Sequence, residues 1–251
     1  MWKPMRRALL KLEDHLPLVA RIYRDLRDRR ARNALTWEKS LFGIELLGGN
    51  YLASGIHEVA ELEAIIQLEP SFDVLVDVGA NVGLYSCLFA KRGKHAVAIE
   101  PYGPNLQILY LNISRNRLER EIEVFPLAVA DRAGLMKLYG RGQGASLVPR
   151  WGDQPLHDFS MIAVNTLDNI VAARFRSARL MLKIDVEGAE WDVLQGAANA
   201  LEQTRVILIE NSKSRNHPGH RNPRYDDINR LLEVCAFRLR AQWGENCLWL
   251  K

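Results

Sequence analysis

The sequence lacks long apolar runs, paired cysteines and the apolar core of a secretory signal. Its hydrophobic stretches have the length of strands, well short of the roughly 20 residues that a membrane-spanning helix needs. Its three cysteines are scattered and form no CxxC pair, so they support neither a disulfide framework nor a cysteine metal site. We therefore expect reduced cysteines and a globular protein that stays in the cytoplasm.

Excess positive charge is missing from the body of the chain. Residues 1–35 hold ten Lys and Arg against four acids, whereas the whole chain of 251 residues carries a formal charge of +4. A basic charge confined to one terminal segment does not favour nucleic-acid binding by the folded body. Aromatic and basic residues also do not interleave as in a recognisable nucleic-acid module. We expect no nucleic-acid partner.

The basic segment has one apolar helical face. Apolar side chains recur at three- and four-residue steps from Leu9 to Leu26, with Arg and Lys around the rest. We predict a helical arm, residues 1–38, that packs on the remaining domain, residues 39–251, or on a second subunit of a homo-oligomer. The alternative is that residues 1–35 rest on an anionic membrane surface, which would place the protein at the inner membrane face.

Strands and helices alternate along the rest of the chain. Such alternation predicts an α/β fold, with an open, mostly parallel, Rossmann-like sheet covered by helices. The stretches 238–243 and 247–250, joined by a tight turn, predict a terminal antiparallel hairpin. The Gly- and Pro-interrupted stretch 140–160 is predicted to be a long loop, of the kind that often binds ligands. The predicted strands are 74–78, 96–100, 122–130, 135–139, 180–185 and 205–210, and the predicted helices are 82–92, 104–117, 188–202 and 224–236.

The strongest functional signal is an apolar strand that ends in a carboxylate, Asp77, and a small-residue turn. Glycines in such a turn let a ligand lie against bare backbone amides at a helix N-terminus. The next strand ends in Glu100, which a doubly wound sheet places beside the same crevice, where an acid can bind a ribose diol. The turn consists of Gly79, Ala80, Asn81, Val82 and Gly83.

The turn discriminates between two cofactors that such acids can bind. Nicotinamide dinucleotides require G-x-G-x-x-G, whose central glycine admits a pyrophosphate, and this turn contains no G-x-G. Asp77 would also repel a nearby pyrophosphate, whereas it suits the cationic ammonium end of a methionine moiety. The residues therefore favour S-adenosylmethionine (SAM).

Further motifs resemble the FkbM family of SAM-dependent methyltransferases. The glycine turn is shared with the wider class I methyltransferase superfamily, whereas the motif KIDVEGAE, residues 183–190, is far more specific. The similarity runs from about residue 40 to Asn211. The matching segments are 76–86, 100–101 with Asn105, 111–113, 128–131 with Gly134, 144–147, 166–168 and 182–190.

This resemblance implies a seven-stranded SAM-binding sheet with its last strand antiparallel. It also implies methyl transfer to oxygen, commonly to a hydroxyl of a sugar or natural product. Glu100 would accept both ribose hydroxyls. The other implied cofactor contacts are Asp77, Gly79, Asn81 and Gly83 around the methionine part, Ala130 and Asp131 near the adenine, and in addition Ala80, Pro101 and Asn105.

The acidic motif supplies candidates for the transfer step. In-line displacement gains much of its rate from holding the acceptor oxygen close to the methyl carbon, and a hydroxyl acceptor must also lose its proton. Asp185, at a strand end, and Glu187 are candidate general bases; the alternative is that they cap a helix start. Lys183 lies on the same side of the strand as Asp185, and it either pairs with that acid or binds an anionic substrate group.

Candidate acceptor contacts come from other segments. Glu210 and Asn211 end a strand at the same sheet edge, and Ser146 lies in the long loop, where ordinary loop capping is its alternative role. His217 and His220 form a lone HxxH, which is weak evidence for a metal site, and we expect no metal requirement.

Taken together, these residues predict a SAM-dependent O-methyltransferase that acts on a saccharide, a glycolipid precursor or a similar polar metabolite. The alternatives are an RNA methyltransferase on the same fold and a non-catalytic SAM-binding or scaffold protein.

Overall fold

The computed structural model describes residues 34–48, 56–211 and 222–251, together with Leu26 and Arg30. Most of the predicted arm, 1–38, and the histidines at 217 and 220 lie outside these residues, so the arm and its boundary stay predictions. Residues Glu38–Lys251 form a compact unit. Within the described part of the chain, no helix is long and apolar enough to cross a bilayer.

The described elements alternate much as the sequence predicts. They are β1 (Trp37–Lys39), β2 (Glu45–Leu47), α1 (Ile56–Gln67), β3 (Val74–Val78), α2 (Leu84–Lys91), β4 (His95–Ile99), α3 (Gly103–Asn116), β5 (Ile122–Phe125), β6 (Ala128–Val129), β7 (Gly134–Tyr139), β8 (Phe159–Asn165), β9 (Leu180–Ile184), α4 (Glu190–Gln195), α5 (Ala198–Gln203), β10 (Thr204–Glu210), α6 (Tyr225–Val234), β11 (Arg238–Trp243) and β12 (Asn246–Leu250).

A seven-stranded sheet forms the centre of the unit. Its strand order is β11-β12-β10-β9-β3-β4-β5. Strands β10, β9, β3, β4 and β5 are parallel, and β12 runs antiparallel to both of its neighbours. The predicted α/β fold, with a mostly parallel sheet of seven strands and a terminal antiparallel hairpin, is confirmed. Strands β3 and β9 are buried at every residue, which explains their nearly unbroken apolar sequences.

The sheet separates two hydrophobic clusters. Because successive side chains of a strand point to opposite faces, Val76 packs with α4, α5 and α6, whereas Leu75 packs with α1, α2 and α3. Asp77 shares the face of Leu75, and the register places it beside Lys183 of β9. This pairing brings two charged side chains into the layer between the sheet and α2.

A second sheet differs from the prediction. The predicted strand 122–130 is broken after Phe125, and the chain then enters a three-stranded sheet in the order β6-β8-β7. Strand β8 lies in a segment that the sequence did not indicate as a strand. The predicted helix 188–202 is also interrupted, at Gly196, where a Cβ would lie 2.3 Å from the carbonyl oxygen of Ala130. The close approach of that backbone separates α4 from α5.

Candidate active site

A cavity of about 250 Å³ opens at the carboxyl ends of β3, β4 and β9. Ligand sites of open α/β sheets form at such an edge. One side of the cavity is lined by the turn 79–82 and by Glu100 and Pro101 after β4. The other side is lined by Lys183, Asp185 and Glu187 after β9. The two motifs that the sequence singled out therefore face one space.

The glycine turn sits directly against the end of β9. Gly79 has φ +81°, and a Cβ there would lie 1.9 Å from the carbonyl oxygen of Asp185. Gly83, with φ +89°, has a different role, because its missing Cβ makes room for Leu109 of α3, from which that atom would be only 2.3 Å away. Gly83 is not part of the cavity wall, whereas Gly79, Ala80 and Asn81 are.

Glu100 is held by three donors and is 5% exposed. Its Oε2 accepts the N–H of Asn81 at 2.8 Å, and its Oε1 accepts the N–H of Tyr102 at 2.8 Å and the side-chain amide of Asn105 at 3.4 Å. Burial raises the pKa of Glu100 to about 7 against these donors. A carboxylate offers about four lone-pair sites. Accepting both ribose hydroxyls, as the resemblance implies, therefore requires the long Asn105 contact to open.

Asp77 does not reach the cavity wall. Its Oδ2 accepts the backbone N–H of Ser86 at 3.2 Å and the Ser86 hydroxyl at 2.7 Å. Burial raises the pKa of Asp77, although Lys183 opposes this shift. The implied contact with the methionine part stays a prediction; in the structure Oδ1 of Asp77 is buried and has no hydrogen-bond partner among the described residues. Asp77 fixes the first turns of α2 from behind the glycine turn, because its side chain points into the layer between sheet and helix.

The implied adenine contacts at Ala130 and Asp131 also stay predictions, and the structure places both residues just outside the cavity wall. Ala130 is completely buried, and Asp131 lies at the surface beside Arg132 at 3.0 Å. Neither lines the cavity, whereas residues 127–129 do. Strand β6 ends at Val129 in its pairing with β8, so the chain has left the cavity one residue before the predicted contact.

Lys183 and Asp185 form an ion pair on the cavity wall. The Nζ of Lys183 lies 3.0 Å from Oδ2 of Asp185 and donates to the carbonyl oxygen of Gly79 at 3.3 Å. Burial disfavours the charge of Lys183, but Asp185 and Asp77 outweigh it and hold the pKa of the lysine above its usual value. The same lysine lowers the pKa of Asp185 against the cost of desolvation. The predicted pairing of these two residues is observed.

Glu210 joins this pair from the end of β10. Its carboxyl is hydrogen-bonded to that of Asp185, and burial together with the Asp185 charge raises the pKa of Glu210 to about 11. At neutral pH Glu210 is protonated and Asp185 is ionised. Asp185, Glu187 and Glu210 each place a carboxylate oxygen within 4.8 Å of the others. Among the described residues they are the acids with the geometry to hold a divalent cation.

Glu187 has a left-handed backbone, with φ +57°. Its Oε2 accepts the indole N–H of Trp151 at 2.8 Å, and its carbonyl oxygen accepts the hydroxyl of Ser146 at 2.6 Å. Ser146 therefore holds the acidic motif and is not part of the cavity wall. The contact with Trp151 was not predicted, because no spacing in the sequence relates a loop residue to an acid 36 positions later.

Two more polar residues fix the surrounding backbone. Asn211 is completely buried, and its amide donates to the carbonyl of Tyr225 and to Oδ1 of Asn229. These bonds join β10 to α6, and the predicted role of Asn211 in acceptor binding stays a prediction. Glu190 accepts the N–H groups of Val186 and Gly188, as expected of an acid at a helix start.

Tyr85 is a cavity residue that sequence reasoning missed. Its hydroxyl donates to Glu61 of α1, and the other oxygen of Glu61 accepts the amide of Asn246 at 2.8 Å. Glu61 is 1% exposed, so this hydrogen-bond network is buried. The position of Tyr85 one turn after the glycines was the available signal.

The sheet order, the antiparallel last strand and the cavity at this edge define a Rossmann-like methyltransferase fold. A family model described as the methyltransferase FkbM domain matches residues 77–239, more than half of the chain. The protein therefore belongs to the FkbM methyltransferase family. The match extends past Asn211, where the resemblance noted in the sequence ended.

Several proteins are similar to this chain. The AMB antimetabolite synthetase AmbE of Pseudomonas aeruginosa is 28% identical over 221 residues, which cover 73% of this chain and 10% of AmbE. The hexuronic acid methyltransferase AglP of Haloferax volcanii is 28% identical over 141 residues, 55% of each protein. A crystal structure of methyltransferase FkbM from Methylobacillus flagellatus aligns with a TM-score of 0.49 and 21% identity, over 72% of this chain and 44% of that one. The chain spans about half of AglP and a tenth of AmbE.

Proposed function

We propose that the protein transfers the methyl group of SAM to a hydroxyl oxygen of a saccharide, a glycolipid precursor or a similar polar metabolite. The observation that carries this proposal is the placement of Glu100 and the bare glycine turn on one side of a cavity, with Asp185 and Glu187 on the other. The name of AglP, a hexuronic acid methyltransferase, supports a sugar acceptor.

The residues present fit SAM. The buried Glu100 carboxylate suits ribose hydroxyls, the turn 79–82 offers backbone without bulk, and the apolar wall at residues 127–129 suits an adenine ring. When bound, SAM supplies an electrophilic methyl group on a sulfonium. An apolar wall also limits water, which would compete with the acceptor for that group.

The acids after β9 act on the acceptor. Asp185 is ionised beside Lys183, so it accepts a hydrogen bond from the acceptor hydroxyl and orients the oxygen. With SAM bound, the acceptor hydroxyl would lose its proton to one of these carboxylates as its oxygen is methylated. A base with a low pKa is sufficient at that stage. Asp185 and Glu187 are both candidates for this base.

Calorimetry with SAM, and with NADH as the comparison, tests the cofactor assignment. Glu100→Ala is expected to weaken SAM binding by at least about tenfold, because a charge-assisted hydrogen bond contributes on that scale. Asp131→Asn is the matched control and should bind SAM as the wild type does. Equal affinity in Glu100→Ala and Asp131→Asn would contradict the proposal.

Labelled SAM incubated with candidate glycan precursors tests the acceptor. Methyl label should appear on a sugar oxygen.

Three further parts of the proposal rest on the sequence alone. They are a cytoplasmic location, the absence of a nucleic-acid partner, and a role of residues 1–35 in contact with a second subunit or a membrane.

A further inference from the structure

Loop 140–158 is attached to the acidic motif at Glu187 by two hydrogen bonds. The indole N–H of Trp151 donates to its carboxylate at 2.8 Å, and the Ser146 hydroxyl donates to its carbonyl oxygen at 2.6 Å. One bond holds the side chain and the other holds the backbone. The loop therefore determines both where Glu187 lies and where its carboxylate points.

The backbone at this point needs such support. Glu187 has φ +57°, a backbone conformation that residues other than glycine rarely adopt. Gly188 follows with φ +97°, and a Cβ there would lie 2.3 Å from the Trp151 ring. The indole thus packs directly against the peptide that carries the strain, in a space that only glycine leaves open.

The loop is built to hold Trp151 in place. Trp151 is 7% exposed and stands between two residues with left-handed backbones, Arg150 and Gly152. The ion pair between Arg141 and Asp158, 2.9 Å apart, closes the base of the loop, and both side chains are mostly buried. These contacts make the loop a fixed support and not a free segment.

The same loop also lines the cavity. Gly142, Ala145 and Leu147 contribute to its wall on the side of Glu187. We propose that Trp151 is a positioning residue that holds the carboxylate of Glu187 toward the acceptor, so that the loop sets acceptor use and not SAM binding. This inference rests on the proposed function, because it assigns the acceptor to this end of the cavity.

Two indole substitutions separate this role from simple packing. Trp151→Phe removes the N–H donor and keeps most of the ring. Trp249→Phe is the matched control, since Trp249 is 3% exposed and its N–H has no hydrogen-bond partner among the described residues. Trp151→His restores a ring N–H. Ser146→Ala removes the bond to the backbone of Glu187, together with the hydrogen bond that the Ser146 hydroxyl accepts from the N–H of Val148 at 2.9 Å.

The measurements are SAM affinity, transfer of labelled methyl to a panel of methyl hexosides and methyl hexuronosides, and hydrogen exchange of residues 186–188. In Trp151→Phe and Ser146→Ala we expect SAM affinity within about twofold of wild type and acceptor kcat/KM lower by about tenfold, the scale of one hydrogen bond to a charged group. The acid limb of the rate–pH profile should move to higher pH in Trp151→Phe, because the carboxylate loses a donor that favours its charged form. Exchange at 186–188 should rise, and Trp151→His should recover part of each effect.

Acceptor kinetics and exchange in Trp151→Phe that equal those of Trp249→Phe would overturn the inference. If wild-type protein methylates none of the sugars, the proposed sugar acceptor fails and the exchange data alone decide. In that case, unchanged hydrogen exchange at residues 186–188 in both Trp151→Phe and Ser146→Ala would overturn the inference that the loop holds Glu187 in place.

Discussion

The Nζ of Lys183 lies 3.0 Å from Oδ2 of Asp185, on the wall of the cavity. This ion pair influences which of the neighbouring acids is charged. The lysine keeps Asp185 ionised, and the resulting negative charge, together with burial, keeps the proton on Glu210. The cavity wall at Asp185 therefore carries one stabilised carboxylate, which is hydrogen-bonded to the Glu210 carboxyl of raised pKa.

Replacing Asp185 should greatly slow methyl transfer without weakening the binding of SAM. Asp185→Asn is expected to reduce the rate of methyl transfer by about 10²- to 10⁴-fold, the usual range for a lost acid–base group. SAM affinity should stay close to wild type, because Glu100 and the glycine turn are unchanged. Calorimetry and a labelled-methyl assay measure the two effects. Full activity in Asp185→Asn would reject its assigned role.

The close approach of Gly79 to β9 predicts a large cost for a single methyl group. Gly79→Ala places a Cβ 1.9 Å from the Asp185 carbonyl oxygen in addition to the strain of φ +81°. Gly43→Ala is a matched control, with the same φ and no atom of the described residues within 4 Å of the added Cβ. We expect about 1–2 kcal/mol of destabilisation in the control and at least about 2 kcal/mol more in Gly79→Ala. Urea unfolding of both variants measures the difference, and equal losses would show that the turn is not tightly packed.

Stability should fall as pH rises from about 4.5 to 7. The pKa values of Glu100 and Glu190 are both raised to about 7 by burial, so the folded state binds protons that the unfolded state has already released. Each group contributes a loss of roughly 3 kcal/mol across this window. Glu210 extends the loss to higher pH, whereas Asp73 and Asp185, whose pKa values are lowered, titrate below it.

Urea unfolding at several pH values tests this dependence. Glu190→Gln should flatten the slope by about a third, because Glu100 and Glu210 still bind more protons in the folded than in the unfolded state across this window. A slope equal to wild type in that variant, or stability that increases from pH 4.5 to 7, would contradict the assignment.

Chelation should leave methyl transfer unchanged. Each carboxylate of the set Asp185, Glu187 and Glu210 already has a partner in the protein: Lys183 for the first, Trp151 for the second, and Asp185 itself for the third. A divalent ion would have to displace the lysine and the shared proton. We therefore expect the same activity in EDTA and in millimolar magnesium. Activity that disappears in EDTA and returns with magnesium would establish these three acids as a metal site instead.

The side of the cavity formed by the glycine turn and Glu100 could be predicted from the sequence because its geometry is local. The glycine turn follows β3 directly, Glu100 follows β4, and the parallel sheet brings the two strand ends together. Asp185 could be placed for the same reason, since the end of β9 pairs with β3. The apolar sequence of each buried strand is enough to predict where the residues that follow it lie.

The remaining contacts depend on pairings between distant segments. The position of Ala130 and Asp131 relative to the cavity depends on the pairing of β6 with β8, and neither the existence nor the register of β8 can be read from its own sequence. The hydrogen bond between Trp151 and Glu187 arises from left-handed backbones in two different segments. A left-handed backbone at a residue other than glycine gives little signal in the sequence.

The close contact between Gly79 and the carbonyl oxygen of Asp185 joins the two walls of the cavity. The turn after β3 and the end of β9 leave no room for a side chain between them. A side chain added at Gly79 would therefore displace both walls at once, the one formed by the glycine turn and the one formed by the acidic motif.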